Sequence, residues 1–218
     1  MIEILLPEEF PMTDERITPR TVAILIFDDV EVLDFCGPFE VFSVTGGRSG
    51  PKAFQVYTVA EKAGIVTARN GLRVMADYAI GTAPAADLLV VTGGQGTRRE
   101  MHNATLLEWI AARDANTELT LSVCTGALLL AKAKLLDGLR ATTHHGAIDL
   151  LRETAPHTQV EAGLRLVDNG RIITSAGVAA GIDMSLYVVG RLLGQAVAEE
   201  TARYMEYPWP RPNWQTLG

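Results

Sequence analysis

Apolar residues arrive along this chain in two alternating rhythms. Short, nearly continuous runs have the composition of strands covered on both faces: Thr21-Val22-Ala23-Ile24-Leu25-Ile26-Phe27, Asp87-Leu88-Leu89-Val90-Val91 and Leu119-Thr120-Leu121-Ser122-Val123. Between them lie segments with helical spacing, such as Leu106, Leu107, Ile110 and Ala111 within 104–114, and Ile182, Leu186, Val189 and Leu193 after Ala180. Alternation over 54–59 predicts a further strand, with weaker ones at 72–75, 140–143 and 159–161. Asp168-Asn169-Gly170 between two apolar stretches is a hairpin signal. Helices are expected over 31–44 with a break at Gly37-Pro38, from Gly126 to near Leu136, over 147–152, and after Ala180 in two pieces, the second marked by Val197, Thr201 and Tyr204. Strands alternating with helices predict an α/β fold, a mostly parallel sheet with helices on both faces.

With 218 residues, 48% of them hydrophobic, the chain suits one compact domain. An N-terminal arm over 1–20, a domain over 21–207 and a tail over 208–218 are expected. The tail holds Pro208-Trp209-Pro210-Arg211-Pro212, which cannot be helix interior. A net charge of −7 argues against nucleic-acid binding and against an acidic membrane surface. No segment reaches transmembrane length, and residues 1–6 are too short and acidic for a signal peptide. Two cysteines, Cys36 and Cys124, make no disulfide framework, so a cytoplasmic setting is expected.

The chemistry centres on Cys124. The run 119–123 is strand-like, whereas Ala127-Leu128-Leu129-Leu130-Ala131-Lys132 is made of helix formers, so Cys124 falls at a strand-to-helix elbow with Thr125 and Gly126 in the turn. Free N–H groups and the dipole of the new helix favour a thiolate there, with a midpoint below the ordinary thiol value of about 8.5. Ligands in such sheets sit beyond the carboxyl ends of the strands. The region 28–34 and the Gly93-Gly94 turn fall at such ends too. Asp34 reads either as an acid at a helix start or as a general acid whose pKa is raised by burial and by the thiolate. Gly93 and Gly94 make a tight turn, or bring backbone close enough for the Gly94 and Thr125 N–H groups to stabilise an anion. Thr92-Gly93-Gly94-Gln95-Gly96 lacks the Lys-Ser/Thr of a phosphate loop. His144 is a pocket-lining candidate; no ligand spacing around His144 and His145 suits zinc, so no metal is expected. Cys36 reads as a small buried hydrophobe, Asp183 as structural, and Trp209 and Trp214 as cover for an apolar patch or a dimer seam.

Several of these pieces, in this order, resemble the ThiJ/PfpI superfamily: Val32-Leu33-Asp34 with Gly37-Pro38-Phe39-Glu40-Val41-Phe42; Val90-Val91-Thr92-Gly93-Gly94; Ser122-Val123-Cys124-Thr125-Gly126-Ala127; Ala141-Thr142-Thr143-His144; and Thr174-Ser175-Ala176-Gly177-Val178 with Ala180-Gly181-Ile182-Asp183. The resemblance covers most of 21–207 and is strongest to the isonitrile hydratase branch. It implies a flavodoxin-like fold, a homodimer with the active site near its interface, and no cofactor or metal. It also implies a nucleophilic Cys124 served by Thr125 and Asp34, hydrating a small isonitrile to an N-substituted formamide through a thioimidate. Protease members carry a His directly after the Cys, where this chain has Thr125, and Cys36 stands where a hydratase is expected to have Thr. Two rival readings remain: a thiol sensor or ligand-binding regulator that uses Cys124, and a glyoxalase-like or hydrolase activity on small carbonyl compounds. Regulators of the superfamily add a C-terminal helix-turn-helix domain; with Gly218 so soon after the matching region, a DNA-binding regulator is not expected.

Overall fold

The computed structural model describes residues 18–46 and 52–209, with the backbone of 215–216. Its elements, in chain order, are β1 (Arg20–Leu25), α1 (Val32–Val44), β2 (Phe54–Ala60), β3 (Ile65–Thr67), β4 (Arg73–Met75), β5 (Tyr78–Ala79), β6 (Leu88–Val91), α2 (Thr97–Glu100), α3 (Ala104–Asp114), β7 (Leu119–Val123), α4 (Gly126–Lys132), β8 (Arg140–Ala141), α5 (Ile148–Thr154), β9 (Gln159–Val160), β10 (Leu166–Asp168), β11 (Ile172–Ser175), α6 (Ala180–Leu193), α7 (Gln195–Tyr204) and β12 (Gln215–Thr216). The main sheet runs β12-β10-β11-β7-β6-β1-β2-β5. Every pairing in it is parallel except β10 with β11, the hairpin that Asp168-Asn169-Gly170 signals. The central strands β6 and β7 are buried along their whole length, which is why their sequences run apolar without alternation.

The structure corrects the sequence reading in four places. Helix α1 passes through Gly37-Pro38 unbroken. Although Pro38 removes one backbone donor, Gly37 lies flush against Ile182 of α6, where a Cβ would sit 2.9 Å from Ile182 Cγ1, and this packing carries the helix past the gap. Helix α4 stops at Lys132, short of Leu136, because Lys134 takes a left-handed φ of +63° and Leu135 N–H closes back on Leu130 O at 3.0 Å. Strands β3 and β5 are too short and too exposed to leave a pattern. Finally, Gln215 and Thr216 pair with Val167 and Asp168, so part of the segment set apart as a tail forms an edge strand. Residues 1–17 of the expected arm, and Trp214, lie outside the described residues. Among the described residues, no helix is long and apolar enough to cross a membrane.

Close approach of α4 to the end of β6 fixes where Cys124 stands. A side chain at Gly126 would drive into the Val91 carbonyl, which is backbone and cannot move aside. Gly126→Ala is therefore expected to destabilise by about 1–3 kcal/mol, read as a lower Tm. Gly81→Ala, with nothing within 4 Å, is expected to stay within about 0.5 kcal/mol of wild type. Equal melting of the two variants would contradict this packing.

Candidate functional site

The carboxyl ends of β1, β6, β7 and β11 meet at one place. Beyond β1, Val30 bridges Gly94, and the Glu31 N–H donates to Gly93 O at 2.9 Å, so the start of α1 is fastened to the turn after β6. Cys124 follows β7 in the left-handed region, φ +57°, a conformation that costs an L-residue roughly 1–2 kcal/mol. Its neighbours hold it there: the Cys124 N–H donates to Ala176 O at 3.1 Å, and Thr143 Oγ1 donates to Cys124 O at 2.7 Å.

Asp34 is fully buried on the first turn of α1. Its Oδ2 accepts the Gly93 N–H at 3.0 Å, while Oδ1 is buried with no regular hydrogen bond. Burial pushes the carboxyl up to about 7; the Gly93 N–H opposes this, the Glu31 charge adds to it, and the Cys124 side chain and Val178 backbone oppose it. Gly93 has to be glycine here: a Cβ would sit 2.7 Å from Thr125 Oγ1 and 2.8 Å from Asp34 Oδ2.

Thr125 ties the elbow to the same turn. Its Oγ1 accepts the Gly94 N–H at 2.9 Å, lies 3.1 Å from Gly94 O and 3.1 Å from Thr97 Oγ1. The Gly94 N–H is therefore already committed, and the expected anion-stabilising pair of Gly94 and Thr125 N–H groups is not on offer. The backbone groups that favour a charged Cys124 are those of Thr125 and Val178.

They do not make Cys124 a resting thiolate. Burial pushes its thiol up to about 12, the Asp34 charge adds to this, and the Thr125 and Val178 backbone groups and the Thr125 side chain oppose it. This direction is opposite to the expected midpoint below about 8.5, because burial and the neighbouring Asp34 charge both favour the protonated thiol.

His144 stands at the edge of this cluster. Its Nδ1 accepts the Gly146 N–H at 3.1 Å, and its ring lies against Gly177, where there is no room for a Cβ. Burial, then His145 and Arg98, lower its pKa against the pull of Glu31. It lines a cleft of about 640 Å3 with Thr143, His145, Arg165 and Gly177. Among the described residues no group of three His, Cys, Asp or Glu is placed to hold a metal ion. Cys36 is half-buried on α1 rather than fully buried, since it sits on a flank of the helix instead of its core face. Asp183 is buried between Arg165 and the Tyr207 hydroxyl. Trp209 packs on the core. The sequence reading missed Glu31, Thr97 and Val178; Glu31 and Thr97 flank the motifs without belonging to them, and the positive φ of Val178 leaves no trace in sequence.

The raised Asp34 pKa makes stability depend on pH. The folded chain holds this proton longer than the unfolded chain, so stability is intact below the ordinary 3.8 and is lost as pH rises through about 7. Asp34→Asn removes that loss while leaving about 1–3 kcal/mol of unpaired buried amide. The Tm of the variant relative to wild type is expected to climb by about 5–10 °C between pH 5 and pH 8. A difference independent of pH would contradict the raised pKa. In the same variant Cys124 is expected to alkylate with a lower midpoint, because a neighbouring negative charge is gone.

The comparisons with known proteins give the family. The model of the DJ-1/PfpI family matches residues 20–191. An isonitrile hydratase of Pseudomonas putida is 33% identical over 186 residues, covering 85% of this chain and 78% of that protein. The HTH-type transcriptional regulator CdhR of Pseudomonas aeruginosa is also 33% identical, over 82% of this chain but only 52% of its own length, so this chain spans about half of such regulators. The crystal structure of a ThiJ/PfpI family protein from Pseudomonas syringae superposes with a TM-score of 0.81 at 30% identity, covering 96% of this chain and 84% of that one. Drosophila melanogaster DJ-1beta shares the fold, with a TM-score of 0.76 at 17% identity over 88% of this chain and 100% of that one. With its buried Asp34 beside the Cys124 elbow and a family match over most of its length, this chain belongs to the DJ-1/PfpI family.

Proposed function

We propose that the chain is a cofactor-independent cysteine enzyme that hydrates a small isonitrile to an N-substituted formamide. The observation that carries this reading is a buried carboxyl with a pKa of about 7 beside a buried thiol at a strand-to-helix elbow. A carboxyl near the working pH takes and returns a proton with about equal ease. Ionised Asp34 accepts the Cys124 proton as sulfur bonds to the terminal isonitrile carbon, then delivers that proton to the same carbon, giving a thioimidate. Water adds across the C=N bond, its OH to carbon and a proton to nitrogen. The C–S bond then breaks, the hydroxyl proton passes through Asp34 to sulfur, and the formamide leaves. Thr125 holds the turn that carries Gly93 and so keeps the Gly93 N–H on the carboxyl. Isonitrile hydratase from Pseudomonas putida, at 33% identity, supports this choice of reaction. Burial of Cys124 weighs against a thiol sensor, since oxidation follows thiolate character and access.

We further propose a cytoplasmic homodimer without nucleic-acid or membrane partners. Ile65 and Met75 face each other across β3 and β4, 50% and 65% exposed, with Leu72 beside them, an apolar face of the kind that self-association covers. Sedimentation at micromolar concentration is expected to give a dimer; a monomer would contradict this assembly.

Turnover tests the chemistry. Purified wild type is expected to form a formamide from small isonitriles, with Cys124→Ser at least a hundredfold slower. Because Asp34 has to be ionised to take the thiol proton, kcat/KM is expected to rise with pH through about 7 and to hold beyond it. Conversion of small aldehydes in place of isonitriles would move the reading to a glyoxalase-like enzyme. Binding of small ligands with no turnover would move it to a regulator.

A further inference from the structure

Arg98 brings a positive charge up to the elbow and has no carboxylate to pair with. It lies on α2, just after the turn that follows β6, and its side chain folds back over that turn. Nη1 donates to Gly94 O at 3.3 Å and to Thr97 Oγ1 at 3.2 Å. Both acceptors belong to the lock on the elbow, for each lies 3.1 Å from Thr125 Oγ1. Thr125 directly follows Cys124. A guanidinium is thus fixed against the turn that carries the candidate thiol.

The rest of that guanidinium is unused. Nε and Nη2 of the half-buried Arg98 make no hydrogen bond among the described residues, and its charge is in no ion pair there. Other half-buried arginines differ. Arg20, Arg140 and Arg165 pair with Glu118, Glu161 and Asp183. Arg113 has no carboxylate either, but it spends two nitrogens on the Pro84 and Ala83 carbonyls and lies over the Trp109 ring. A half-buried cation short of acceptors is costly to keep. Its planar fork of donors matches the two oxygens of a carboxylate.

Glu31 is fastened to the same turn by its N–H on Gly93 O at 2.9 Å, yet it makes no ion pair with Arg98. The two charges act on the His144 ring with opposite sign, Arg98 lowering its pKa and Glu31 raising it. His144 Nδ1 accepts the Gly146 N–H, so in the neutral ring Nε2 carries the proton and is a donor. The rim of the site is therefore polarised, and an anionic group is drawn to its Arg98 side.

We propose that Arg98 binds a carboxylate on the substrate, so that the isonitrile taken here is an isocyano carboxylate rather than a hydrocarbon isonitrile. Nε and Nη2 hold the two carboxylate oxygens while the isonitrile end lies at Cys124. The reaction rests on the hydratase reading, but the carboxylate site is testable apart from turnover.

The experiment measures kcat/KM for isocyanoacetate and its propanoate and butanoate homologues, each beside its neutral amide. Calorimetry follows binding of the matching formamides, N-formylglycine and its homologues, again beside the neutral amides. The proteins are wild type, Arg98→Gln, Arg98→Lys and Arg203→Gln; Arg203 is exposed on α7, so its variant removes the same charge elsewhere. The readout is the preference for carboxylate over amide, a ratio in which a general disturbance of the Gly94 turn cancels. Wild type and Arg203→Gln are expected to favour the carboxylates. Arg98→Gln is expected to lose about tenfold to a hundredfold of that preference in turnover and in binding, and Arg98→Lys, with the charge but not the fork, to keep part of it. A wild type indifferent to the carboxylate would overturn the proposal, whether or not the variants fold. Arg98→Gln with the wild-type preference would overturn it too. Arg98-dependent binding of N-formylglycine with no turnover of any isonitrile would count against the hydratase reading and support the carboxylate site.

Discussion

A carboxyl group and a thiol buried together near pH 7 are the constraint on which the rest of this structure turns. Neither group is at ease. Desolvation raises both pKa values, and the charge of one penalises the ionisation of the other. A fold selected for stability alone would separate them or replace one by an apolar residue. Here four strand ends, two glycine turns and two left-handed non-glycine residues converge to keep them in place. The consequence is a carboxyl pushed up toward neutral pH, the working range for acid–base catalysis, beside a thiol that burial holds protonated.

The scaffolding follows from that requirement. Gly93 permits the α1 carboxyl and the Thr125 hydroxyl to approach the same turn, and Gly126 lets α4 press against the end of β6. Thr125 uses its hydroxyl to lock Gly94 rather than to face a substrate. The segment after β11 packs against the elbow as well, since Ala176 O accepts the Cys124 N–H. Burial, more than the short helix α4, sets the thiol's character.

Much of this was legible in the sequence because it rests on composition and spacing. The buried runs of β1, β6 and β7 announced themselves by lacking alternation, and α3 and α6 by helical period. The elbow at Cys124 and the strand-end positions of Asp34 and Gly93 followed from those elements. What stayed hidden depends on tertiary packing. Pro38 reads as a helix break, yet α6 supports α1 through it. A helix-start cysteine reads as a thiolate, yet burial and Asp34 reverse the sign. Gly94 reads as an anion donor, yet Thr125 occupies its N–H. Val178 falls within one of the matching pieces, yet its left-handed backbone leaves no sign there, since that conformation exists only in the folded turn.

The most direct measurement of the central claim follows the Asp34 carboxyl itself. Infrared difference spectra of wild type against Asp34→Asn, taken from pH 4 to pH 9, isolate the protonated carboxyl of this one residue. The account predicts a buried carboxylic-acid band that disappears with a midpoint near 7. A carboxylate already ionised by pH 5, near its ordinary value, would contradict it.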